Sequence, residues 1–429
     1  MEWLDEYEKL VIRMNTPRVV IDNGVCPTAT LVQVDSSRKR GVLLEAVQVL
    51  ADLDLSIKKA YISSDGRWFM DVFHVTDRLG RKLADDSVIS YIQQSLGSWA
   101  SPPARPAGHD DAQLTALELT GADRTGLLSE VFAVLADMGC AVADARAWTH
   151  RGRLGLVAFL RDGGGDAAIL ARLGHLVRGD GGAVTARPAA DAAHADRRLH
   201  QLMAAELDLR SGEEAAAVPT PAVSVESWAE RGYSVVTVRC RDRPKLLFDV
   251  ACTLHDMDYV VFHGTVDTAA ADGQARQEFY VRHADGSPIR TEAESHRVSQ
   301  CIQAAVERRS LEGVRLELCT PDRPGLLSDV TRTFRENGLL VAQAEVSTKG
   351  GVASNVFYVT DAAGNAVDQS AIDAVRERVG MDCLVVKEEP QPQPFRGDRD
   401  GGVGGVGLVY LGNLVKRNLY NLGLIKSCS

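Results

Sequence analysis

The sequence predicts an α+β fold of four tandem ferredoxin-like modules, each with the element order β-α-β-β-α-β, followed by a flexible C-terminal tail. Three observations predict it. The stretch DRPGLLSDV at 322–330 has three relatives elsewhere in the chain. An apolar run with strand-type alternation precedes each copy, and apolar residues with the spacing of one helix face follow it.

The four related stretches align on one anchor position, which is glycine in three of them: Gly41, Gly126, Lys245 and Gly325. Three positions before each anchor stand Arg38, Asp123, Asp242 and Asp322. Four positions after each anchor stand Glu45, Glu130, Asp249 and Asp329. Because agreement at several offsets is hard to obtain by chance, we expect four copies of one structural unit. Their strand-to-helix connections are called corners 1 to 4 below.

The elements of a module are clearest in the fourth copy. A strand is expected at RLEL, 315–318, and the helix after the corner carries Leu326, Leu327, Val330 and Phe334 on one face. Two strands joined by a turn at Lys349-Gly350-Gly351 follow. A second helix at 371–379 and a closing strand at 383–386 complete the module.

These patterns predict modules at 28–100, 113–188, 232–308 and 313–388, a helical linker at 189–231, and a tail at 389–429 that contains a short apolar segment. The longest spacing between anchors separates the second copy from the third. The chain therefore resembles two tandem pairs joined by a connector, although the sequence does not specify which modules contact each other.

Composition excludes several classes of function. The formal net charge of −10 argues against broad nucleic-acid binding. Eight dispersed cysteines, a charged N-terminus and no apolar run of 18 residues predict a cytoplasmic or nuclear protein that is neither secreted nor bound to a membrane. The two His-Asp pairs, at 109–110 and 255–256, are isolated, so no metal site, cofactor or catalytic group is predicted, and we expect no enzyme activity.

The corners suggest a different chemistry. The first N–H groups of a helix have no partners inside the helix, and the helix dipole makes that end positive, so a carboxylate docks there. Glycine allows close approach, and an aspartate three residues earlier attracts a cation. A free amino acid offers both an ammonium and a carboxylate. The alternative is that the aspartate caps the helix, and that some corners no longer bind anything.

The D-R-P-G-L-L loop in a βαββαβ frame resembles the ACT domain, a small-ligand regulatory module. Four copies, together with the stretches at 58–77 and 242–268 and the ending LVYLGNLVKRNLYNLGLIKSCS at 408–429, are similar to the plant ACT-domain-repeat (ACR) proteins. The resemblance implies that an amino acid binds between paired modules. The residues that match the motif are Asp123, Gly126 and Leu127 in corner 2, and Asp322, Gly325 and Leu326 in corner 4. Corner 1 departs from the motif at Arg38 and corner 3 at Lys245.

Two hypotheses follow. The first is an amino-acid sensor that signals by conformational change, with self-association or a protein partner at the C-terminal tail as further expectations. The second is a non-catalytic interaction scaffold with vestigial ligand sites. The repeat also resembles the regulatory part of bacterial uridylyltransferase, but the catalytic motifs of that enzyme are not found in this sequence.

Overall fold

The computed structural model describes residues 18–37, 41–64, 68–97, 114–161, 165–179, 181–192, 194–204, 222–268, 273–309, 313–362, 364 and 367–387. Arg38, His109-Asp110 and the predicted tail at 389–429 lie outside these residues. The chain divides into two units: unit 1 holds modules 1 and 3, and unit 2 holds modules 2 and 4.

The elements of unit 1 come from two separate parts of the chain. Module 1 contains β1 (Arg18–Asp22), β2 (Thr30–Ser37), α1 (Val42–Asp52), β3 (Ser56–Ser64), β4 (Trp68–Thr76) and α2 (Asp86–Gly97). Module 3 contains β9 (Ala222–Trp228), β10 (Tyr233–Arg241), α6 (Leu246–Asp256), β11 (Tyr259–Asp267), β12 (Gln274–His283) and α7 (Glu292–Arg308). Their strands form one eight-stranded sheet in the order β1-β2-β4-β3-β11-β12-β10-β9.

Unit 2 repeats this design. Module 2 contains β5 (Thr115–Ala122), α3 (Leu127–Asp137), β6 (Ala141–His150), β7 (Arg153–Arg161), α4 (Ala167–Leu176) and β8 (Ala183–Pro188), and α5 (Ala195–Ala204) follows it. Module 4 contains β13 (Val314–Pro321), α8 (Leu326–Glu336), β14 (Leu340–Lys349), β15 (Val352–Thr360), α9 (Gln369–Val379) and β16 (Leu384–Lys387). The sheet order is β16-β13-β15-β14-β6-β7-β5-β8.

The predicted fold class is confirmed in each unit. Strands alternate inward and outward side chains, so that β2, for example, buries every second residue. The helix after each corner turns its apolar stripe to the sheet, where Val330 and Phe334 of α8 are fully buried against Phe357. The core of each unit therefore lies between one face of the sheet and the helices.

The predicted element order holds in modules 2 and 4 and is wrong in modules 1 and 3. In modules 1 and 3 the edge strand precedes the other three strands in the chain instead of following them. These edge strands, β1 and β9, each pair antiparallel with the next strand along the chain. The boundaries predicted at 28 and 232 leave these strands out, and the predicted helical linker contains β9. An edge position beside the first long strand is filled equally well by a strand that precedes it or one that follows it, so the repeat pattern alone does not decide this.

The expectation of two tandem pairs is also wrong, because module 1 pairs with module 3 and module 2 with module 4. The sheets continue across each pair through β3 and β11, from Ser63 opposite His263 to Lys59 opposite Asp267, and through β6 and β14. The corner helices of each pair, α1 with α6 and α3 with α8, also contact each other. Connector length limits the distance between successive modules, but it does not select which strand edges pair.

Helix α5 is the part of the predicted linker helix that the structure describes. Leu199 and Met203 of α5 pack on the sheet face of unit 2 that lies opposite α3 and α8, against Trp148 and Phe159. Among the described residues, no helix has the length and apolar character needed to cross a membrane.

Candidate functional site

Each corner turns from strand to helix at its anchor residue. The anchors have positive φ angles, +92° at Gly41, +86° at Gly126, +61° at Lys245 and +79° at Gly325, and the helix begins at the next residue. Glycine adopts this conformation without strain, which explains why it occupies three of the four anchors. None of these helices has a side-chain cap. The N-cap position is the anchor glycine in corners 2 and 4, so Asp123 and Asp322 are not the N-cap residues of their helices.

A second feature of the corners explains the acidic residues four positions after the anchors. The arginine two positions before the anchor pairs with that acid in three corners. Arg124 donates to Glu130 at 2.9 Å, and the contacts of Arg243 with Asp249 and of Arg323 with Asp329 are 2.7 Å. Each pair ties the loop to the first helical turn. These arginines therefore have a structural role. A negatively charged group of a ligand would have to be bound by a different residue.

Pairing of modules 2 and 4 builds a cleft at corner 2. The loop of module 2 forms one wall, and the end of α8 and the start of β14 form the other. The lining residues are Asp123, Arg124, Gly126, Leu127, Leu128, Ser129, Thr149, Thr331, Arg335, Leu339, Leu340 and Val341. The cavity measures about 30 Å³, which is room for about two water molecules.

Arg335 lies directly over the anchor of corner 2. A Cβ atom added at Gly126 would come within 2.5 Å of Arg335 Cδ. Arg335 belongs to the last turn of α8 and stands ten positions after the anchor of module 4. In unit 1, the equivalent residue His255 lies over Gly41, where an added Cβ would come within 3.2 Å of His255 Cε1.

In the other two modules the equivalent position, ten after the anchor, holds a smaller residue, Ala136 in module 2 and Ala51 in module 1. A Cβ added at Gly325 would meet no atom within 4 Å among the neighbours that the structure describes. Each pair of modules therefore has one corner covered by a long side chain and one opposite an alanine.

The predicted site residues separate accordingly. Asp123, Gly126 and Leu127 line the cleft of corner 2, whereas Asp322, Gly325 and Leu326 do not. Leu127 and Leu326 are 1% and 6% exposed and belong to the hydrophobic core of unit 2, so both contribute mainly to packing.

The electrostatic environment of Asp123 fits a cation-binding role. Burial raises the pKa of its carboxyl group, and the backbone N–H and guanidinium of Arg124 offset part of that rise. A carboxylate that has lost hydration gains from a cationic partner. Asp322, the equivalent residue of corner 4, is exposed to solvent. Corner 2 thus places a partly desolvated anion in the same cleft as Arg335 of the partner module.

Corner 3 has cations of its own. Burial raises the pKa of Asp242 to about 6, and Lys58 of module 1 and the Thr268 hydroxyl act in the opposite direction. Lys245 occupies the anchor in the left-handed conformation, which costs a non-glycine residue roughly 1–2 kcal/mol. Sequence analysis identified the Lys245 departure, but it missed Lys58 and Arg335, which approach their corners from another module.

Within the ranges that the structure describes, no group of three or more His, Cys, Asp or Glu residues is arranged to hold a metal ion.

Comparison with known proteins places this geometry in context. The model described as the ACR family N-terminal ACT domain matches residues 25–101, and ACT domain models match 114–164 and 314–379. The chain is similar to the ACT domain-containing proteins ACR8 and ACR4 of Arabidopsis thaliana. It is 57% identical to ACR8 over 100% of the chain and 99% of the relative, and 49% identical to ACR4 over 99% and 98%. A bifunctional uridylyltransferase/uridylyl-removing enzyme of Azospirillum brasilense is 35% identical over 19% of this chain and 9% of the enzyme.

Proposed function

Because this chain belongs to the ACR family of ACT domain-containing proteins, we propose that it is a regulatory protein that binds a free amino acid in the cleft between modules 2 and 4. One observation carries the proposal: Asp123 and Arg335 bring opposite charges into the same cleft from two different modules. The proposed ligand is therefore a zwitterion that contacts both modules at once.

In this arrangement, Asp123 accepts hydrogen bonds from the ammonium group, and Arg335 donates hydrogen bonds to the carboxylate. A guanidinium binds a carboxylate through two parallel hydrogen bonds, which fixes the direction of the ligand. The positive φ of Gly126 and its missing Cβ keep the backbone clear at the point where the ligand passes between the two charges. The small cavity implies that Arg335 swings outward from its position over Gly126 when the ligand enters.

Signalling follows from the position of the cleft. A ligand that contacts the corner of module 2 and the end of α8 in module 4 stabilises the arrangement in which both groups are in place. Such a ligand shifts the population toward that arrangement by as much as its affinity differs between the two. The sensing role, the cytoplasmic or nuclear location, and a partner at the tail belong to this proposal as expectations.

Unit 1 supports a second, scaffold-like role for half of the protein. His255 lies over the anchor of corner 1, and Lys245 replaces the anchor glycine of corner 3. Asp242 of corner 3 already has Lys58 and Thr268 as internal partners. These features favour a structural role for unit 1 and assign ligand binding to unit 2.

Titration calorimetry of the full chain with the twenty amino acids at millimolar concentration tests the proposal. We expect at least one amino acid to bind, and Asp123→Asn to abolish that binding. Asp322→Asn is the matched control, because it makes the same change in the open corner 4 and should leave binding intact. If no amino acid produces heat or raises the melting temperature, the sensor proposal is wrong and the scaffold hypothesis takes its place.

A further inference from the structure

The charged groups around the cleft of corner 2 balance one another. Arg124 is paired with Glu130, and Arg335 lies within electrostatic range of Glu130. Together with Asp123, these groups amount to two acids and two guanidiniums. An amino acid with a neutral side chain adds no net charge to this set. A charged side chain brings one extra charge into a partly desolvated site without a counter-charge, which is costly.

The remaining lining residues of the cleft are five aliphatic residues and three with hydroxyl groups, Ser129, Thr149 and Thr331. Leu127, Leu128 and Leu339 are 1%, 7% and 4% exposed, and Leu340 and Val341 are half-buried. The Thr331 hydroxyl, which also lines the cleft, donates to the Leu327 carbonyl at 2.6 Å and is therefore already used. A ligand side chain that enters between these walls meets carbon atoms from both modules.

The size of the cleft further restricts the class of amino acid that it binds. With Arg335 over Gly126, the cleft has a volume of about 30 Å³ and is partly open to solvent. Outward movement of Arg335 enlarges the cleft on its open side, whereas Leu127, Leu128 and Leu339 belong to the close-packed core of unit 2 and do not retreat. This favours a small branched or linear aliphatic side chain over an aromatic ring.

A comparison of the four corners indicates how many of them can bind an amino acid. A complete zwitterion site needs an acid three positions before the anchor and a basic side chain from the partner module over it. Corner 2 has Asp123 and Arg335. The other corners have Arg38 with His255, Asp242 with Ala51, and Asp322 with Ala136. Each of these three combinations lacks either the acid before the anchor or a basic side chain at the position ten after the partner module's anchor.

We infer that the cleft of corner 2 is the complete amino-acid site of the described modules and that it binds one neutral amino acid with a small aliphatic side chain per chain. Arg335 is the residue that sets the direction of the ligand, since it holds the carboxylate. This inference rests on the proposed function and adds to it the substrate class and the stoichiometry.

Calorimetry of the full chain with alanine, valine, leucine, threonine, glutamate, lysine and phenylalanine tests the inference. We expect valine or another aliphatic amino acid to bind with a stoichiometry of one. Glutamate, lysine and phenylalanine should bind about 10-fold more weakly than valine, or worse. Arg335→Met should weaken valine binding about 10- to 100-fold, the effect of one lost charge-assisted contact. Arg332→Met, on the exposed side of α8, is the matched control.

The outcomes separate the inference from the function on which it rests. If a charged or aromatic amino acid binds most tightly and Asp123→Asn abolishes that binding, the function stands and the assigned class is wrong. A stoichiometry of two would contradict the single complete site. If no amino acid binds at all, both the proposed function and this inference are wrong. Arg335 is half-buried at a helix end, and an unchanged circular dichroism melting curve for Arg335→Met would show that a loss of affinity does not come from unfolding.

Discussion

Arg243 Nη1 and Asp249 Oδ2 lie 2.7 Å apart in corner 3, and both side chains are almost completely buried, at 7% and 0% exposure. Arg323 and Asp329 form the same contact at 2.7 Å in corner 4, where the side chains are 57% and 38% exposed. The two pairs have the same offsets from their anchors and the same chemistry. They differ in burial, and Asp329 also pairs with Arg332 at 2.7 Å.

Arg243→Met should therefore lower the free energy of unfolding of unit 1 by about 3–5 kcal/mol, because it leaves the Asp249 carboxylate buried without its guanidinium. Arg323→Met, the matched control, should cost less than about 1 kcal/mol, as exposed pairs do. Denaturant unfolding of the full chain followed by circular dichroism measures both. Equal effects of the two substitutions would show that burial of Asp249 does not control the stability of corner 3.

A buried polar position recurs on one strand of three modules. The residues are Asp71, Gln277 and Asn355. Each pairs across the sheet with the residue that lies seven positions before the anchor of its module. In module 2 the same place holds Leu156. Asp71 is completely buried between Val34 and Ile62, and its carboxyl oxygens have no side-chain partner in the described structure. Burial raises the pKa of Asp71 to about 8, and the nearby Asp35 adds to the rise. Module 1 therefore carries a carboxylic acid that is mostly protonated at neutral pH.

The stability of unit 1 should fall as pH rises because of Asp71. Its pKa in the folded state is above the unfolded value, so its contribution is complete below about pH 4 and is lost as pH rises through about 8. The slope should reach about 1.4 kcal/mol per pH unit inside this window. Between pH 6.5 and 8 the dependence belongs mainly to Asp71, because the pKa of Asp242 is about 6 and burial lowers the pKa of His74 to about 4.

Asp71→Asn, which places in module 1 the amide found in module 4, should remove that slope. Denaturation at pH 6.5, 7, 7.5 and 8 measures it. Asp77→Asn is a control at an exposed turn of the same module, and it should leave the slope between pH 6.5 and 8 unchanged. A slope that survives Asp71→Asn would mean that another group titrates in this range.

Much of the fold was accessible from sequence because it depends on local patterns. The anchors require positive φ and the helices require an apolar stripe, and both requirements leave recurring residues such as Gly126 and Phe334. Only half of the candidate site could be predicted from sequence, because only one of its two charged residues belongs to the local pattern. Asp123 stands next to its own anchor, whereas Arg335 is more than two hundred positions away and reaches Gly126 only because module 2 pairs with module 4. A repeat alignment marks the position ten after each anchor, but it does not show which corner that position faces.

Ala136→Arg should give corner 4 the basic side chain that it lacks. Corner 4 already has Asp322 and an unobstructed Gly325, and Ala136 occupies in α3 the position that Arg335 occupies in α8. We expect the stoichiometry of amino-acid binding to rise from one to two, as measured by calorimetry. Ala51→Arg is the matched control: it faces corner 3, where the anchor is Lys245, and should create no site. A stoichiometry that stays at one in Ala136→Arg would show that charge pairing does not suffice to make a corner bind.

Gly126→Ala and Gly325→Ala separate backbone strain from contact with Arg335. Both glycines have φ near +80°, so alanine at either position should cost about 1–2 kcal/mol of stability from the backbone alone. Only at Gly126 would the new Cβ come within 2.5 Å of Arg335 Cδ, so Gly126→Ala should also displace Arg335 and abolish amino-acid binding. Gly325→Ala should leave binding intact. In an Arg335→Ala background, the two glycine substitutions should have equal effects on the free energy of unfolding, which a double-mutant cycle measures by denaturant titration. If Gly126→Ala remains the more costly change in that background, the obstruction at corner 2 comes from a group other than Arg335.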